Sequence, residues 1–324
     1  MSRIAALLLA AAALAAAGVR VATAHTSQPD ATTGVVVVET NLAYDNGEAA
    51  GTGMVLTPAG EVLTNNHVIR GASAIRVVVP AARRSYSARV LGYSPAADVA
   101  VLQLNGASGL ATVMTGTSAG LRRGQPVTAV GNAGGTGYLT STAGSVLALG
   151  RNITVSDDEG GTERLTGLVE TDAALQPGDS GGPLVDGSGR VIGMDTAASA
   201  SFRFRFQGSS DGYAIPIDRA GAIARQIAAK RASALVHIGG TAFLGVRLQA
   251  AVVAGVVPGS PVDRAGIVPG DRLTSVDGHA ISTSNDVLRA LLPRHPGDRI
   301  ALAWTDGAGS AHTASVVLAS GPPQ

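Results

Sequence analysis

Gly178-Asp179-Ser180-Gly181-Gly182-Pro183 is the stretch on which the reading of this 324-residue chain turns. A serine set among glycines lets the backbone fold tightly around the hydroxyl, because glycine adopts angles that other residues resist and leaves room for close approach. Such a turn presents Ser180 Oγ as a nucleophile. It also aims the N–H groups of Gly178 and Ser180 at one point, where an oxyanion would form. Taken alone, the stretch could also be no more than a glycine-rich turn, so the neighbouring chemistry decides.

A serine hydroxyl needs a base to take its proton and an acid to orient that base. The chain has six histidines. His25 lies at a processing site, and His237, His279, His295 and His312 follow the serine in a region that reads as a separate module. His67 remains, in Leu63-Thr64-Asn65-Asn66-His67-Val68-Ile69, just ahead of an Arg-Gly turn. The acid should open a buried strand, and Asp98 does so ahead of Val99-Ala100-Val101-Leu102-Gln103-Leu104, whose alternation reads as a strand entering a core. A turn-capping role after Ser94-Pro95 is the structural alternative. Asp45, Asp157 and Asp158 sit in glycine- or charge-rich loops, and Asp172 lies too close to the serine.

With His67, Asp98 and Ser180 the order is His, Asp, Ser, as in chymotrypsin-like proteases. The local sequences resemble the HtrA/Deg family of envelope serine proteases. The resemblance rests on Thr64 to Ile69, Asp98 to Leu102, Thr171-Asp172-Ala173-Ala174, Pro177 to Val185, Val191-Ile192-Gly193 and Gly212-Tyr213-Ala214-Ile215-Pro216, and it covers most of residues 34–232. It implies a mainly β fold, a chymotrypsin-like double β-barrel followed by a smaller PDZ domain. It also implies a primary specificity pocket lined by Ala174, six residues before the serine, with Gly212 nearby and Thr196 to Ala198 along the substrate backbone. No carboxylate lies there to pair with Lys or Arg, so cleavage is expected after small or medium apolar residues. Asp179 departs from the family, where Asn is usual. In trypsin-like zymogens an Asp here receives a freed N-terminal amine, but no Ile-Val-Gly-Gly-like start is evident near Gly34-Val35-Val36, and the sequence assigns Asp179 no partner.

Lys plus Arg is 24 and Asp plus Glu is 23, a net charge of +1 that argues against a nucleic-acid partner. There is no cysteine, hence no disulfide and no thiol to carry a lipid. The histidines show no metal-ligand spacing, so neither metal nor cofactor is expected. Arg3, the apolar run Ile4 to Val19 and Ala22-Thr23-Ala24 read as a signal peptide over 1–24, with a short segment 25–33 after it. The expected location is therefore exported: periplasmic, envelope-bound or secreted, with an uncleaved anchor as the alternative.

Strands are predicted at Val35–Val38, Gly53–Leu56, Ile75–Val79 and after Asp98, forming a first barrel. Others at 126–130, 145–149, 167–170, 183–185 and 190–194 form a second. Asp218 reads as an N-cap for a helix over 220–232 closing a protease domain of 34–235. Residues 239–320, with Phe243-Leu244-Gly245-Val246, Pro269-Gly270-Asp271 and an amphipathic stretch Asn285 to Leu292, resemble a PDZ domain. That resemblance implies that Phe243, Leu244, Gly245 and Val246 receive a peptide C-terminus, the peptide adding as a strand. Gly131 to Gly137 lacks both the P-loop ending and the dinucleotide spacing and is read as a barrel loop; the Pro and Phe that follow Asn132 in the family are absent. A homo-trimer is the family's habit, but the aromatic residues that build it are missing between His25 and Gly34. The function implied is an exported serine endopeptidase acting on unfolded or misfolded envelope proteins, with regulation through the PDZ domain. A peptide-binding scaffold with a latent site is the alternative.

Overall fold

The protein is represented by a computed structural model that describes residues 30–42, 47–157, 162–196, 202–204 and 212–324. The expected signal segment 1–24, His25, Asp45, Asp158 and residues 197–198 lie outside the described residues.

Six strands build the first barrel: β1 (Val35–Leu42), β2 (Glu48–Val55), β3 (Glu61–Thr64), β4 (Ala72–Val79), β5 (Arg84–Ser94) and β6 (Val99–Leu104). They run in the order β5-β4-β1-β2-β3-β6, and pairing of β5 with β6 closes the sheet. The valine run at 35–38 is buried throughout, because both faces of this strand are covered. Val36 and Val38 point into the barrel core with Val55, Val62, Val77 and Leu102. A short helix, α1 (Asn66–Ile69), sits between β3 and β4 and carries His67.

The second barrel uses β7 (Pro126–Gly131), β8 (Thr140–Asp157), β9 (Thr162–Thr171), β10 (Pro183–Asp186), β11 (Val191–Thr196), β12 (Phe202–Phe204) and β13 (Gly212–Pro216). The order β8-β7-β10-β11-β13-β9 is closed by β8 against β9, and β12 extends β8. Closure matters energetically, since a closed barrel leaves no unpaired edge. A core shared by the two barrels joins Met54, Leu63, Val99 and Val101 to Ile153, Leu168, Val185, Met194 and Ile215.

Helix α2 (Ile217–Ala228) lays Ile217, Ala220, Ala224 and Ile227 on that shared core, a stripe at helical spacing. Its N-cap is Pro216, not Asp218 as expected, and it ends at Ala228 rather than 232. The reason is tertiary. Asp218 Oδ2 accepts hydrogen bonds from Thr117 Oγ1 (2.8 Å), Ser118 N–H (2.9 Å), Ser118 Oγ (2.8 Å) and Ala119 N–H (3.1 Å). It organises a loop of the second barrel instead of capping its own helix.

His237, grouped by sequence with the C-terminal module, belongs to β14 (His237–Ile238), which adds to β5 of the first barrel. Beyond it, β15 (Thr241–Phe243) pairs with β22 (Ala319–Gly321). Strands β16 (Val246–Gln249), β17 (Val252–Val256), β18 (Arg272–Val276), β20 (Arg299–Thr305) and β21 (Ala311–Val317) form one sheet in that order, with β19 (His279–Ala280) on β18. Helices α3 (Pro261–Arg264) and α4 (Ser284–Leu291) complete this unit around its own core of Leu248, Val253, Leu273, Val287, Leu302 and Trp304. Among the described residues no helix is long and apolar enough to cross a membrane.

Candidate active site

Asp98 opens β6 with φ 52°, left-handed backbone that Asp tolerates better than most residues. It follows a turn at Pro95–Ala97 and is 1% exposed. Its carboxylate is fully engaged. His67 Nδ1 lies 2.9 Å from Oδ2 and 3.1 Å from Oδ1, the His67 backbone N–H donates to Oδ1 at 3.0 Å, and Thr196 Oγ1 donates to Oδ2 at 3.2 Å. Asn65 Nδ2 donates to the Asp98 carbonyl at 2.9 Å, fixing the turn from the other side. An ionised carboxylate only accepts, so Nδ1 carries the ring proton and the imidazole lone pair sits on Nε2. That is the tautomer a general base requires.

Ser180 lies on the loop between β9 and β10 and is 2% exposed. The loop's glycines are dictated by contact. Gly178, at φ 101°, would drive a Cβ into the Asn132 carbonyl oxygen. Gly181, at φ 87°, would drive one into Thr52 O and Thr64 Oγ1. The first barrel grips this loop through Thr52. Its N–H donates to Ser180 O (2.8 Å), its Oγ1 donates to Gly178 O (2.7 Å), and the same Oγ1 accepts from Asn132 N–H (2.9 Å). Gly51 separates the Val68 side chain from Ser180 O, with room for no Cβ between them. The helix bearing His67 and the serine loop are therefore one strand apart. On the far side, Gly181 N–H donates to Asp195 O (2.9 Å), and Asp195 is followed by the Thr196 that holds Asp98.

The Gly131–Gly137 loop is part of this assembly despite lacking the family's Pro and Phe. Gly134 N–H donates to Pro177 O (2.8 Å), and Asn132 Oδ1 accepts from Gly137 N–H (2.7 Å). Asp172 lies apart from His67, its carboxylate taken by the Ser145 N–H and hydroxyl.

Of the expected pocket residues, Ala174 is exposed, Gly212 is buried in β13 against Leu175, and Thr196 commits its hydroxyl to Asp98. Thr52, Asn65, Thr196 at Asp98 and Asp195 were not singled out for these roles. Each acts through a partner 12 or more positions away in sequence, so no local pattern marks it. In the C-terminal unit, Phe243, Leu244, Gly245 and Val246 form the turn from β15 into β16. Gly245 is at φ 84°, its carbonyl accepts from Val257 N–H (2.9 Å), and Leu244 O accepts from Val262 N–H (3.2 Å). Strand β16 is the sheet's edge, and α4 flanks it with Val287, Leu288 and Leu291. One concavity runs from this groove to His67 and Gly178, with Pro322, Pro323 and Gln324 along its wall. Gly71 N–H donates to Pro323 O (2.8 Å) and Asn66 Nδ2 to Gln324 O (3.0 Å), which ties that segment to the helix of His67.

Two closed barrels with a buried His–Asp pair beside a Gly-Asp-Ser-Gly-Gly loop are the architecture of a trypsin-like peptidase, here followed by a PDZ fold. The family models agree: "Trypsin-like peptidase domain" matches residues 51–194 and "PDZ domain" matches 252–305. Serine protease PepD of Mycobacterium tuberculosis is 31% identical over 296 residues, covering 88% of this chain and 63% of that protein. A Hahella chejuensis protein named as a DegP-like periplasmic serine endoprotease is 34% identical over 79% of this chain and 54% of its own. A solved structure of the HtrA-type protease AlgW with a tripeptide superposes with TM-score 0.53 and 27% identity, over 90% of this chain and 95% of that one. The chain carries a trypsin-like peptidase domain followed by a PDZ domain and is similar to serine proteases of the HtrA/Deg type. It spans a little under two thirds of the length of the first curated relatives it matches, at 63%, 64% and 60%.

Proposed function

We propose that this protein is a serine endopeptidase in which Ser180 attacks the peptide carbonyl. His67 Nε2 takes the Oγ proton as the new C–O bond forms and returns it to the leaving amine as the C–N bond breaks. Water then repeats the cycle to release the acyl group, and Asp98 stabilises the imidazolium throughout. The N–H groups of Gly178 and Ser180 bind the oxyanion, each such donor being worth about 3–4 kcal/mol in related chemistry. The observation that carries this reading is the buried His67–Asp98 pair, with Nδ1 2.9 Å from the carboxylate, separated by one strand from a serine loop clamped by Thr52.

Purified protein should react with a fluorophosphonate probe, and Ser180→Ala should not. A folded wild type that stays unlabelled, with and without a peptide of apolar C-terminus, would leave the scaffold reading in place. Ala174 and Gly212 support cleavage after Val, Ala or Leu; preference for Lys or Arg in a peptide library would overturn that assignment. The open edge of β16 beside α4 supports capture of a peptide C-terminus, and its continuity with the cleft supports regulation from that groove. Periplasmic relatives and the expected signal segment support an envelope location, with unfolded polypeptides as substrates.

A further inference from the structure

Asp179 lacked a partner in the sequence, and the structure sets it beside a second buried acid. Asp195 is fully buried in β11, and neither of its carboxylate oxygens has a hydrogen-bond partner. Asp179 is 5% exposed; its Oδ2 accepts from Gln176 N–H (2.9 Å), and its Oδ1 has no partner. The backbone brings the two together. Gly182 N–H donates to Asp179 O (2.9 Å), Gly181 N–H donates to Asp195 O (2.9 Å), and Asp195 N–H donates to Gly182 O (2.8 Å). Asp179 Oδ1 presses on Gly131 of β7, where even a Cβ would come within 2.5 Å.

A buried, unpaired carboxylate is among the costliest groups a fold can hold, and it keeps its proton instead. Burial pushes the Asp195 carboxyl well above the usual carboxylate range, and the charge of Asp179 adds to this; burial raises Asp179 as well. Among the described residues the pair has no countercharge: Thr52 of β2 and Gly131 of β7 are uncharged, and Thr196, next to Asp195, spends its hydroxyl on Asp98. Among the described residues no Lys or Arg pairs with either acid.

We infer that Asp179 and Asp195 are positioning residues that share one proton behind the Ser180 loop, and that this proton holds the loop in its reactive shape. One proton turns two acceptor-only groups into a donor and an acceptor. Two buried carboxylates that feel each other's charge do not both ionise without repulsion. When the shared proton leaves as pH rises, the repulsion acts on the Gly181 and Gly182 backbone bonds that fix Ser180. The effect on rate rests on Ser180 being the nucleophile; the shared proton itself does not.

The sign follows from linkage. Both groups hold protons to higher pH in the folded than in the unfolded chain, where Asp titrates near about 3.9. Their contribution to stability is full at acid pH and is lost as pH rises through the folded values. Asp195→Asn places a permanent amide donor where the proton was, and it removes that dependence.

The test is the rate of fluorophosphonate labelling of the full chain from pH 5 to 10, beside thermal unfolding over the same range, for wild type, Asp195→Asn and Asp179→Asn. The wild type should lose about tenfold or more in labelling rate on an alkaline limb that Asp195→Asn lacks, with kcat rather than KM falling in peptide hydrolysis. Its Tm should fall with rising pH more steeply than that of either variant. Superimposable labelling profiles with parallel Tm profiles would overturn the inference, and Asp179→Asn keeps the comparison available where Asp195→Asn does not fold. If no form labels at any pH, the nucleophile assignment fails, and the Tm profiles still decide whether the proton is shared.

Discussion

Asp98 and Asp195 are two buried acids separated in the site by a single residue, Thr196, yet their surroundings are opposite. The first receives an imidazole N–H, a backbone N–H and a hydroxyl. The second receives nothing on either oxygen and faces another acid. Burial penalises a charge in both places. Donors offset it at Asp98, whose carboxylate is held against His67. At Asp195 no donor does so, and burial pushes its carboxyl well above the usual carboxylate range. The first barrel therefore carries the fully hydrogen-bonded acid of the pair, and the second sets the bare one behind the Ser180 loop.

The same isosteric change should separate the two acids most widely. Asp98→Asn reverses the hydrogen-bond polarity at Nδ1 and should lower kcat by about 10⁴-fold with the fold intact. Asp195→Asn should cost less than about tenfold at pH 7, a gap that peptide hydrolysis by the two variants reads directly. A smaller effect of opposite sign is expected in stability. Once pH is high enough for the shared proton to leave, Asp195→Asn should be more stable than wild type by about 1–3 kcal/mol, the cost of an unsatisfied buried group, in urea unfolding. A lower midpoint at that pH would equate the two acids and break the contrast. Thr52→Val strips the donor from Gly178 O and the acceptor from Asn132 N–H. It should cost about 1–3 kcal/mol in Tm-derived stability and reduce labelling at all pH values, which distinguishes a clamp from a titrating prop. The smallest change is expected for Thr196→Val. Asp98 keeps its other donors, so about 0.5–1.5 kcal/mol of transition-state stabilisation should be lost, seen as a drop in kcat of about tenfold or less.

Much of this site was legible in the sequence because its chemistry is local there. His67, Asp98 and Ser180 each sit in a short stretch whose neighbours mark the end of an apolar run, a strand start and a glycine turn; the short helix that carries His67 appears only in the structure. The valine run at 35–38 and the alternation after Asp98 located barrel strands for the same reason. The errors share a cause as well. Asp218 looks like a helix cap because it stands at a helix start, but four donors about a hundred residues upstream in the chain claim its carboxylate. His237 follows the serine and so falls with the later module by position, yet strand pairing with Tyr93 adds it to the first barrel.

The sequence by itself determined the order His, Asp, Ser and a β-rich class, since periodicity and turn residues act between near neighbours, while the two-barrel and PDZ readings came from the resemblance of short local motifs. Only the tertiary structure decided which buried acid is supplied with donors. The His67 backbone N–H, the His67 ring and Thr196 reach the Asp98 carboxylate, and no donor reaches that of Asp195, because barrel closure sets the surrounding elements that way. Nothing adjacent to either aspartate in the chain records it.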